Sequence, residues 1–249
     1  MTVDAFITSL ETESLRFWEP HRWPDKFESR FYRAIYTIPY APEDIQRVYA
    51  TCMTNTMNSE AAWKVYVGKD GLKEHCIQIE LNTNEYLNQL FASGYKIYDR
   101  KVTYMDEYHL LKIHLPGSPG YDSFFRDFSF NKFLNLLSLK RDAYKYENEI
   151  RFFAVNQKYV PCTPDEEATA ADLHMEWSRV IKSIRIDKNC SDAELIALRY
   201  SCASKGIDLH IKDKILPGKV TLSPGALVVE AVLFNIDDMP GSPRITIKP

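Results

Sequence analysis

The stretch from Val180 to Ile211 reads VIKSIRIDKNCSDAELIALRYSCASKGIDLHI, and it decides the fold class. Its beginning alternates between apolar and polar residues, which is typical of a β-strand. Ser191 and Glu194 have the spacing of a capping box that starts a helix, and Gly206 is placed to end that helix. A second short strand follows, so we expect two parallel strands joined by a helix.

The rest of the chain mixes strand and helix patterns without an internal repeat or a clear linker. Strand patterns occupy residues 14–18, 47–54, 75–81, 95–105, 150–155 and 226–234. Helix patterns occupy residues 2–11, 58–67, 82–91 and 124–139. We therefore predict a single α+β domain over residues 1–249, with a mixed, largely antiparallel sheet and a C-terminal βαβ unit at 180–212.

Composition indicates an ordinary folded protein. The 249 residues include only 9 Gly and 13 Pro, which excludes collagen-like and disordered chains. The chain has 31 Lys and Arg and 34 Asp and Glu, which gives a net charge of −3. It therefore has no overall excess of positive charge that would indicate binding to nucleic acid or to an anionic membrane. A local contact with nucleic acid is left open by Lys140, Arg141 and Lys145, whose alternative role is to cover a helix face.

Cysteine and histidine spacing favours neither disulfides nor a metal site. The five cysteines contain no C-x-x-C pair, and the six histidines are dispersed along the sequence. Residues 1–18 lack the basic and apolar regions of a secretion signal, and no apolar run is long enough to span a membrane. We expect a cytoplasmic protein without a bound metal or a membrane contact. The sequence does not fix its oligomeric state.

The sequence YENEIR at residues 146–151 carries the densest group of candidate catalytic side chains. Side chains two apart share one face of a strand, so Glu147, Glu149 and Arg151 are expected together. With Ile150 pointing into the core, we expect this charged row to line solvent or a cleft. Arg151 can hold one carboxylate ionised while the other polarises a hydroxyl or stabilises a cation. The alternative is an exposed face with a surface ion pair.

Three motifs make the chain resemble a widespread bacterial family of unknown function, over roughly residues 10–212. Members of that family read W-x-D-P-F-E, then L-M-W-x-x-Y, then K-x-x-x-W-x-Y-E-x-E-x-R. The corresponding segments here are WPDKFE at 23–28, AAWKVY at 61–66 and KRDAYKYENEIR at 140–151. The third motif is the most specific of the three.

The chain departs from the family pattern at a few positions. Lys26 replaces a proline, two alanines replace L-M, and Tyr144 replaces a tryptophan. Similar proteins also carry an aromatic-Tyr-Arg strand before the first motif, and no such triplet precedes Trp23. Arg16 or Arg22 is therefore expected to supply the missing arginine.

The order of elements also resembles the ADP-ribosyltransferase superfamily, which implies NAD as a ribosyl donor. Cleavage of the bond between nicotinamide and ribose passes through an oxocarbenium-like state, which a carboxylate stabilises. The resemblance assigns that role to Glu149 and the orientation of the acceptor to Glu147. It further implies cofactor contacts from Arg16, Arg22, Thr54, Trp63 and Tyr66. In that arrangement Arg16 or Arg22 holds the pyrophosphate, and Thr54 supports Glu149 by a hydrogen bond.

Simpler roles exist for the remaining motif residues. Asp25 and Glu28 can cap a helix that begins near residue 27, and Tyr146 belongs to the third motif without an assigned role. Trp63 and Tyr66 lie three apart on an expected helix, where packing on the core competes with stacking on a cofactor.

Three functions remain as hypotheses. The first is an ADP-ribosyltransferase-like bacterial effector that uses NAD, in a toxin or phage-defence system. The second is a non-catalytic sensing or interaction module, with a protein partner from the same operon. The third is a metal-dependent nuclease, because clustered carboxylates also hold Mg²⁺. Its ligands would be Asp25, Glu28, Glu147 and Glu149. Walker, Rossmann and zincin motifs are absent from the sequence.

Overall fold

The computed structural model describes residues 1–23, 25–34, 46–56, 59, 75–126, 128–156, 170–212 and 227–234. Contacts within the chain define two compact units. Unit 1 takes the described residues within Met1–Leu15, Asn58–Gln89 and His174–Pro249, and unit 2 takes those within Arg16–Met57 and Leu90–Leu173. The fold is α+β with largely antiparallel sheet pairing, as predicted. The single-domain expectation stays a prediction.

The described helices and strands follow in chain order. The α-helices are α1 (Val3–Glu11), α2 (Lys26–Ala34), α3 (Thr83–Ala92), α4 (Glu107–His114), α5 (Pro119–Phe125), α6 (Phe130–Leu136), α7 (Trp177–Val180) and α8 (Asp192–Ser204). Short 3₁₀ helices cover Pro20–Arg22 and Asp142–Glu147. The strands are β1 (Ser14–Trp18), β2 (Val48–Thr54), β3 (Ile77–Leu81), β4 (Tyr95–Lys101), β5 (Thr103–Met105), β6 (Leu139–Arg141), β7 (Glu149–Asn156), β8 (Ala170–His174), β9 (Ile181–Asp187), β10 (Ile207–Lys212) and β11 (Leu227–Phe234). Among the described residues, no helix is long and apolar enough to cross a lipid bilayer.

Unit 1 is built on a four-stranded sheet in the order β10-β11-β9-β3. The predicted βαβ unit is confirmed, because β9 and β10 run parallel and α8 joins them. One detail differs from a minimal βαβ unit, since β11 lies between these two strands and pairs with both. The capping box also forms, with Glu194 N–H donating to the Ser191 hydroxyl at 3.2 Å and Ser191 N–H donating to the Glu194 carboxylate at 2.7 Å.

Unit 2 is built on a five-stranded sheet in the order β4-β7-β2-β1-β8. The β4–β7, β7–β2 and β2–β1 pairs are antiparallel, and β5 and β6 form a separate parallel pair. A buried core joins this sheet to the helices α2, α4, α5 and α6. Its fully buried members include Phe31, Tyr32, Val48, Leu110, Phe133, Leu134, Leu136 and Phe153.

Residues 107–139 differ most from the sequence prediction. A single helix is expected at 124–139, but the structure has α5 and α6 there, and α4 before them. The physical reason is two separate helix starts. Ser118 accepts a hydrogen bond from Tyr121 N–H with Pro119 at the first helical position, and Ser129 accepts one from Lys132 N–H. The predicted helix at 58–67 falls almost entirely outside the described residues.

Candidate functional site

Unit 2 gathers five charged side chains into what we call the ion cluster. Glu28 comes from α2, Lys140 from β6, and Glu149 and Arg151 from β7, while Glu147 ends the 3₁₀ helix that precedes β7. The first and third sequence motifs therefore meet in space. The sequence alone could not establish that convergence.

Each cation of the ion cluster contacts more than one carboxylate. Arg151 donates from Nη2 to Glu28 Oε2 at 2.6 Å and from Nε to Glu149 Oε1 at 2.7 Å. Lys140 Nζ donates to Glu147 Oε2 at 2.6 Å and to Glu149 Oε2 at 2.8 Å, and it lies 3.6 Å from Glu28 Oε1. Both oxygens of Glu149 thus already accept a charged hydrogen bond.

The ion cluster is buried, so the expectation that Glu147, Glu149 and Arg151 line solvent or a cleft is wrong. Arg151 has no exposed surface, and Glu149 is 4% exposed. The alternative of an exposed surface ion pair is wrong for the same reason. Strand alternation shows which side chains share a face, but it does not show which face packs against other elements. Mutual pairing makes this burial tolerable, because each charge keeps a partner of opposite sign.

Glu147 reaches the ion cluster by a route that strand periodicity does not describe. It closes a 3₁₀ helix, and Asn148 after it adopts a left-handed conformation with φ 43°. The carboxylates of Glu147 and Glu149 nevertheless meet at the same Lys140 ammonium group. The predicted proximity of these two carboxylates is therefore confirmed, although only Glu149 lies on the strand.

Thr54, which ends β2 and precedes the second motif, is one of the residues expected to contact the cofactor. Its hydroxyl donates to the Glu147 carbonyl at 2.6 Å, so it supports the turn before β7 and not the Glu149 carboxylate as expected. Thr54 lies opposite Glu149 in the β2–β7 register. Trp63 and Tyr66, which were expected to contact the cofactor, lie outside the described residues.

Burial and pairing move the pKa values of the ion cluster in different directions. Burial alone would raise the pKa of Glu149, but Arg151 and Lys140 outweigh it and lower this pKa to about 2. For Glu28 the balance is reversed, since burial raises its pKa despite the same two cations. Burial opposes the charged forms of Lys140 and Arg151, yet Glu28 and Glu149 raise the pKa of both. The ion cluster therefore shifts the pKa values of its two carboxyl groups in opposite directions, down for Glu149 and up for Glu28.

Aromatic and charged residues form a second layer around the ion cluster. The Trp23 ring covers the Arg151 guanidinium, with 4.2 Å between the ring centre and Cζ. Asp25 accepts hydrogen bonds from Arg141 Nη2 and from Phe27 N–H, each at 2.8 Å. The bond from Phe27 N–H caps the start of α2, which is the simpler role that the sequence suggests for Asp25. Burial, followed by the charge of Glu147, raises the pKa of the half-buried Tyr146.

The two arginines expected to bind pyrophosphate lie around an exposed tryptophan. Arg16 on β1 pairs with Asp172 through two hydrogen bonds of 2.7 and 2.8 Å. The guanidinium carbons of Arg16 and Arg22 lie 5.3 and 5.7 Å from the Trp18 ring centre. β2 separates β1 from β7, so Arg16 is about 10 Å across the sheet from the strand of Glu149. These arginines are therefore not part of the ion cluster.

A cleft of about 470 Å³ in unit 2, which we call the cationic cleft, lies next to the ion cluster. Its lining includes Arg100, which faces Arg151 in the β4–β7 register, and Leu139, which precedes Lys140 on β6. The described lining residues are Arg100, Lys101, Thr103, Ser123, Phe124, Lys132, Asn135, Ser138 and Leu139.

Among the residues that the structure describes, three cations and no carboxylate line the cationic cleft. Within the described residues, Arg100 donates to the side chains of Asn131 and Asn135, and Lys132 donates to the Arg126 carbonyl. None of the three forms an ion pair with a described carboxylate. Local sequence patterns do not indicate this cleft, because its cations come from β4 and α6, more than thirty residues apart.

The two features differ in what they can bind. The carboxylate oxygens of Glu149 already accept from Lys140 and Arg151 at ion-pair distance, so a divalent cation would have to displace both. This geometry does not favour the nuclease hypothesis. The cationic cleft offers unpaired positive charge, hydroxyl groups and the Phe124 ring, a set that suits a phosphate-bearing ligand with an aromatic base.

Fold and site together define an α+β protein with a buried ion cluster beside a cationic cleft. Comparison with known protein families, with curated proteins and with solved structures finds no match to this chain. The resemblance to the bacterial family and to the ADP-ribosyltransferases therefore stays a prediction from the sequence motifs.

Proposed function

We propose that unit 2 is a binding module for a phosphate-bearing nucleotide, and that the cationic cleft is its binding site. The carrying observation is that Arg100, Lys101 and Lys132 line one cleft without a carboxylate among its described lining residues. NAD is the ligand to test first, because the resemblance implies it. A cytoplasmic nucleotide sensor, signalling to a protein partner from the same operon, also fits the toxin or phage-defence context.

Electrostatics supports an anionic ligand in this cleft. Cations that form no ion pair with a described carboxylate remain available to attract phosphate, whereas Arg16 is already paired with Asp172. Asn135 holds Arg100 from one side at 3.1 Å, which leaves the guanidinium oriented without cancelling its charge. Three such cations can attract the negative charge of a pyrophosphate group. A base can stack on Phe124 at the same cleft.

The ion cluster serves this module as a support. Glu149 and Arg151 are buried and paired, so their contacts fix β7 against β6 and α2. Leu139 of the cleft lies on β6, which this network holds, and Arg100 lies on β4, which pairs with β7 in the sheet. In this arrangement Glu149 is not placed to bind the ribose of NAD, because both of its carboxylate oxygens already accept hydrogen bonds from Lys140 and Arg151.

Reversing one charge of the cleft should weaken nucleotide binding. We expect Lys101→Glu to raise the Kd for NAD about tenfold, since it replaces an attraction for phosphate by a repulsion. Calorimetric titration of the full chain with NAD, ADP and inorganic pyrophosphate measures this change. The effect should shrink at high salt because the cleft is open to solvent.

A matched control lies on the same strand. Lys96 is an exposed lysine of β4 that does not line the cleft, so Lys96→Glu should leave the Kd within about twofold of the wild type. Arg22→Ala should also leave it unchanged. If wild-type protein binds none of the three ligands, or if Lys96→Glu weakens binding as much as Lys101→Glu, the cleft is not the nucleotide site.

ADP-ribosyl transfer is the second candidate function. It is favoured by the opposite pKa shifts of two carboxyl groups in one cluster: burial raises the pKa of Glu28, whereas Arg151 and Lys140 lower that of Glu149. Release of nicotinamide from NAD, followed in the samples used for titration, tests it. Release by the wild type would support transfer, and binding without release would support the module alone.

A further inference from the structure

Unit 1 brings together three side chains that the sequence keeps far apart. His75 precedes β3, Cys190 lies between β9 and α8, and Glu194 is in the first turn of α8. One donor atom from each lies within 4.8 Å of the others. We propose that His75, Cys190 and Glu194 form a zinc site.

The three donor atoms, an imidazole nitrogen, a thiol sulfur and a carboxylate oxygen, favour zinc over magnesium or calcium. Zinc is bound in proteins by cysteine sulfur, histidine nitrogen and carboxylate oxygen. Magnesium and calcium prefer oxygen ligands, so a thiol and an imidazole argue against them. Three protein ligands leave the fourth tetrahedral position for water or an exogenous group. Cys190 is 2% exposed, whereas about a quarter of the His75 and Glu194 side chains is exposed, so a metal ion can enter from the solvent side.

Backbone hydrogen bonds hold the segments that carry these donors. The His75 carbonyl accepts from Val3 N–H at 2.9 Å, and Cys190 N–H donates to the Asp187 carbonyl at 3.0 Å. Glu194 is held by Ser191, whose N–H and hydroxyl donate to Glu194 Oε2 at 2.7 and 2.6 Å. Such second contacts orient metal ligands before the metal binds.

A buried carboxylate on the same turn supports a cation here. Asp187 is 2% exposed, and its Oδ2 has no hydrogen-bond partner among the described residues. An unpaired buried carboxylate oxygen is costly. Zinc held by Cys190, three residues further along this turn, would offset that charge.

Metal binding changes the protonation of the site. His75 Nδ1 lies 2.8 and 2.9 Å from the two Glu194 oxygens, which is a hydrogen bond. Zinc would replace this contact by separate bonds to imidazole and carboxylate. The Cys190 thiol would lose its proton to solvent and bind as a thiolate. Affinity should therefore fall with decreasing pH.

Cobalt(II) provides the direct test, because a thiolate ligand gives it a charge-transfer band. The full chain is freed of metal with a chelator and titrated with Co²⁺, then with Zn²⁺. We expect the band to saturate at one equivalent and to disappear when Zn²⁺ displaces Co²⁺. Cys190→Ser should lose the band.

The same helix offers a matched control. Cys202 is a fully buried cysteine of α8 outside the cluster, so Cys202→Ser should keep the band. His75→Ala and Glu194→Gln change partly exposed side chains and should each weaken uptake strongly, which covers the case in which Cys190→Ser does not fold. Absence of the band from wild-type protein, or its survival in both His75→Ala and Glu194→Gln, would overturn the proposal.

Discussion

Replacing Arg151 with methionine is expected to lower the free energy of unfolding by about 3 to 5 kcal/mol. Arg151 is fully buried and donates to Glu28, Glu149 and the Leu137 carbonyl. Methionine fills similar space but carries no charge, so Glu28 and Glu149 would remain buried with only Lys140 to pair with. The loss comes mainly from these stranded carboxylates.

Urea unfolding at neutral pH measures this difference, and Arg16→Met is its control. Arg16 makes a two-point ion pair with Asp172, but half of its side chain is exposed. An exposed pair contributes only about 0 to 1 kcal/mol, so the control should lose no more than that. Equal losses in the two variants would contradict the buried placement of Arg151.

The charged row of β7 shows what the sequence can and cannot predict. Alternation along the strand correctly predicted that Glu149 and Arg151 share a face. It wrongly placed that face at solvent, because charged residues are usually exposed. Burial of this face depends on Lys140, which supplies the second cation to the carboxylates. Lys140 comes from β6, whose position relative to β7 depends on tertiary packing.

The His75–Cys190–Glu194 cluster and the cationic cleft could not be predicted from the sequence, because both depend on tertiary packing. The cysteines and histidines were correctly described as dispersed, yet folding brings Cys190 within reach of His75, 115 positions earlier. The cationic cleft likewise joins β4 to α6. Local sequence patterns predicted the strands and the capping box of unit 1, because periodicity and cap residues depend on positions that are close in sequence. They carry no information about which distant residues meet.

The ion cluster also changes how a mutation at Glu149 is interpreted. For a solvent-facing catalytic carboxylate, Glu149→Gln should spare the fold and remove turnover. In the buried ion cluster this variant also removes a partner of both Lys140 and Arg151. Loss of activity in Glu149→Gln therefore identifies a catalytic role only if the variant is shown to be folded under the assay conditions.

Glu149→Gln and Glu28→Gln are expected to have unequal effects, although each removes one buried negative charge next to Arg151. The folded-state pKa of Glu149 is about 2, below the ordinary value of 4.5, so its ionised form stabilises the fold by about 3 kcal/mol above pH 4.5. Glutamine abolishes that contribution. Glu28 has a raised pKa, so the fold favours its protonated form, which glutamine imitates. We expect Glu28→Gln to cost much less at pH 6.

The pH dependence gives the sign of each contribution. Below pH 4.5 the unfolded chain takes up a proton at Glu149 before the folded protein does, so this stabilisation is lost as the pH falls from 4.5 towards 2. Glu28 acts in the opposite sense, because the folded protein takes up its proton first and gains stability as the pH falls through the raised pKa. Unfolding free energies at pH 6 and pH 3 should therefore show the cost of Glu149→Gln shrinking at the lower pH. If Glu28→Gln costs as much as Glu149→Gln or more at pH 6, the pKa values of the two carboxyl groups are not shifted in opposite directions, and the observation favouring transfer is lost.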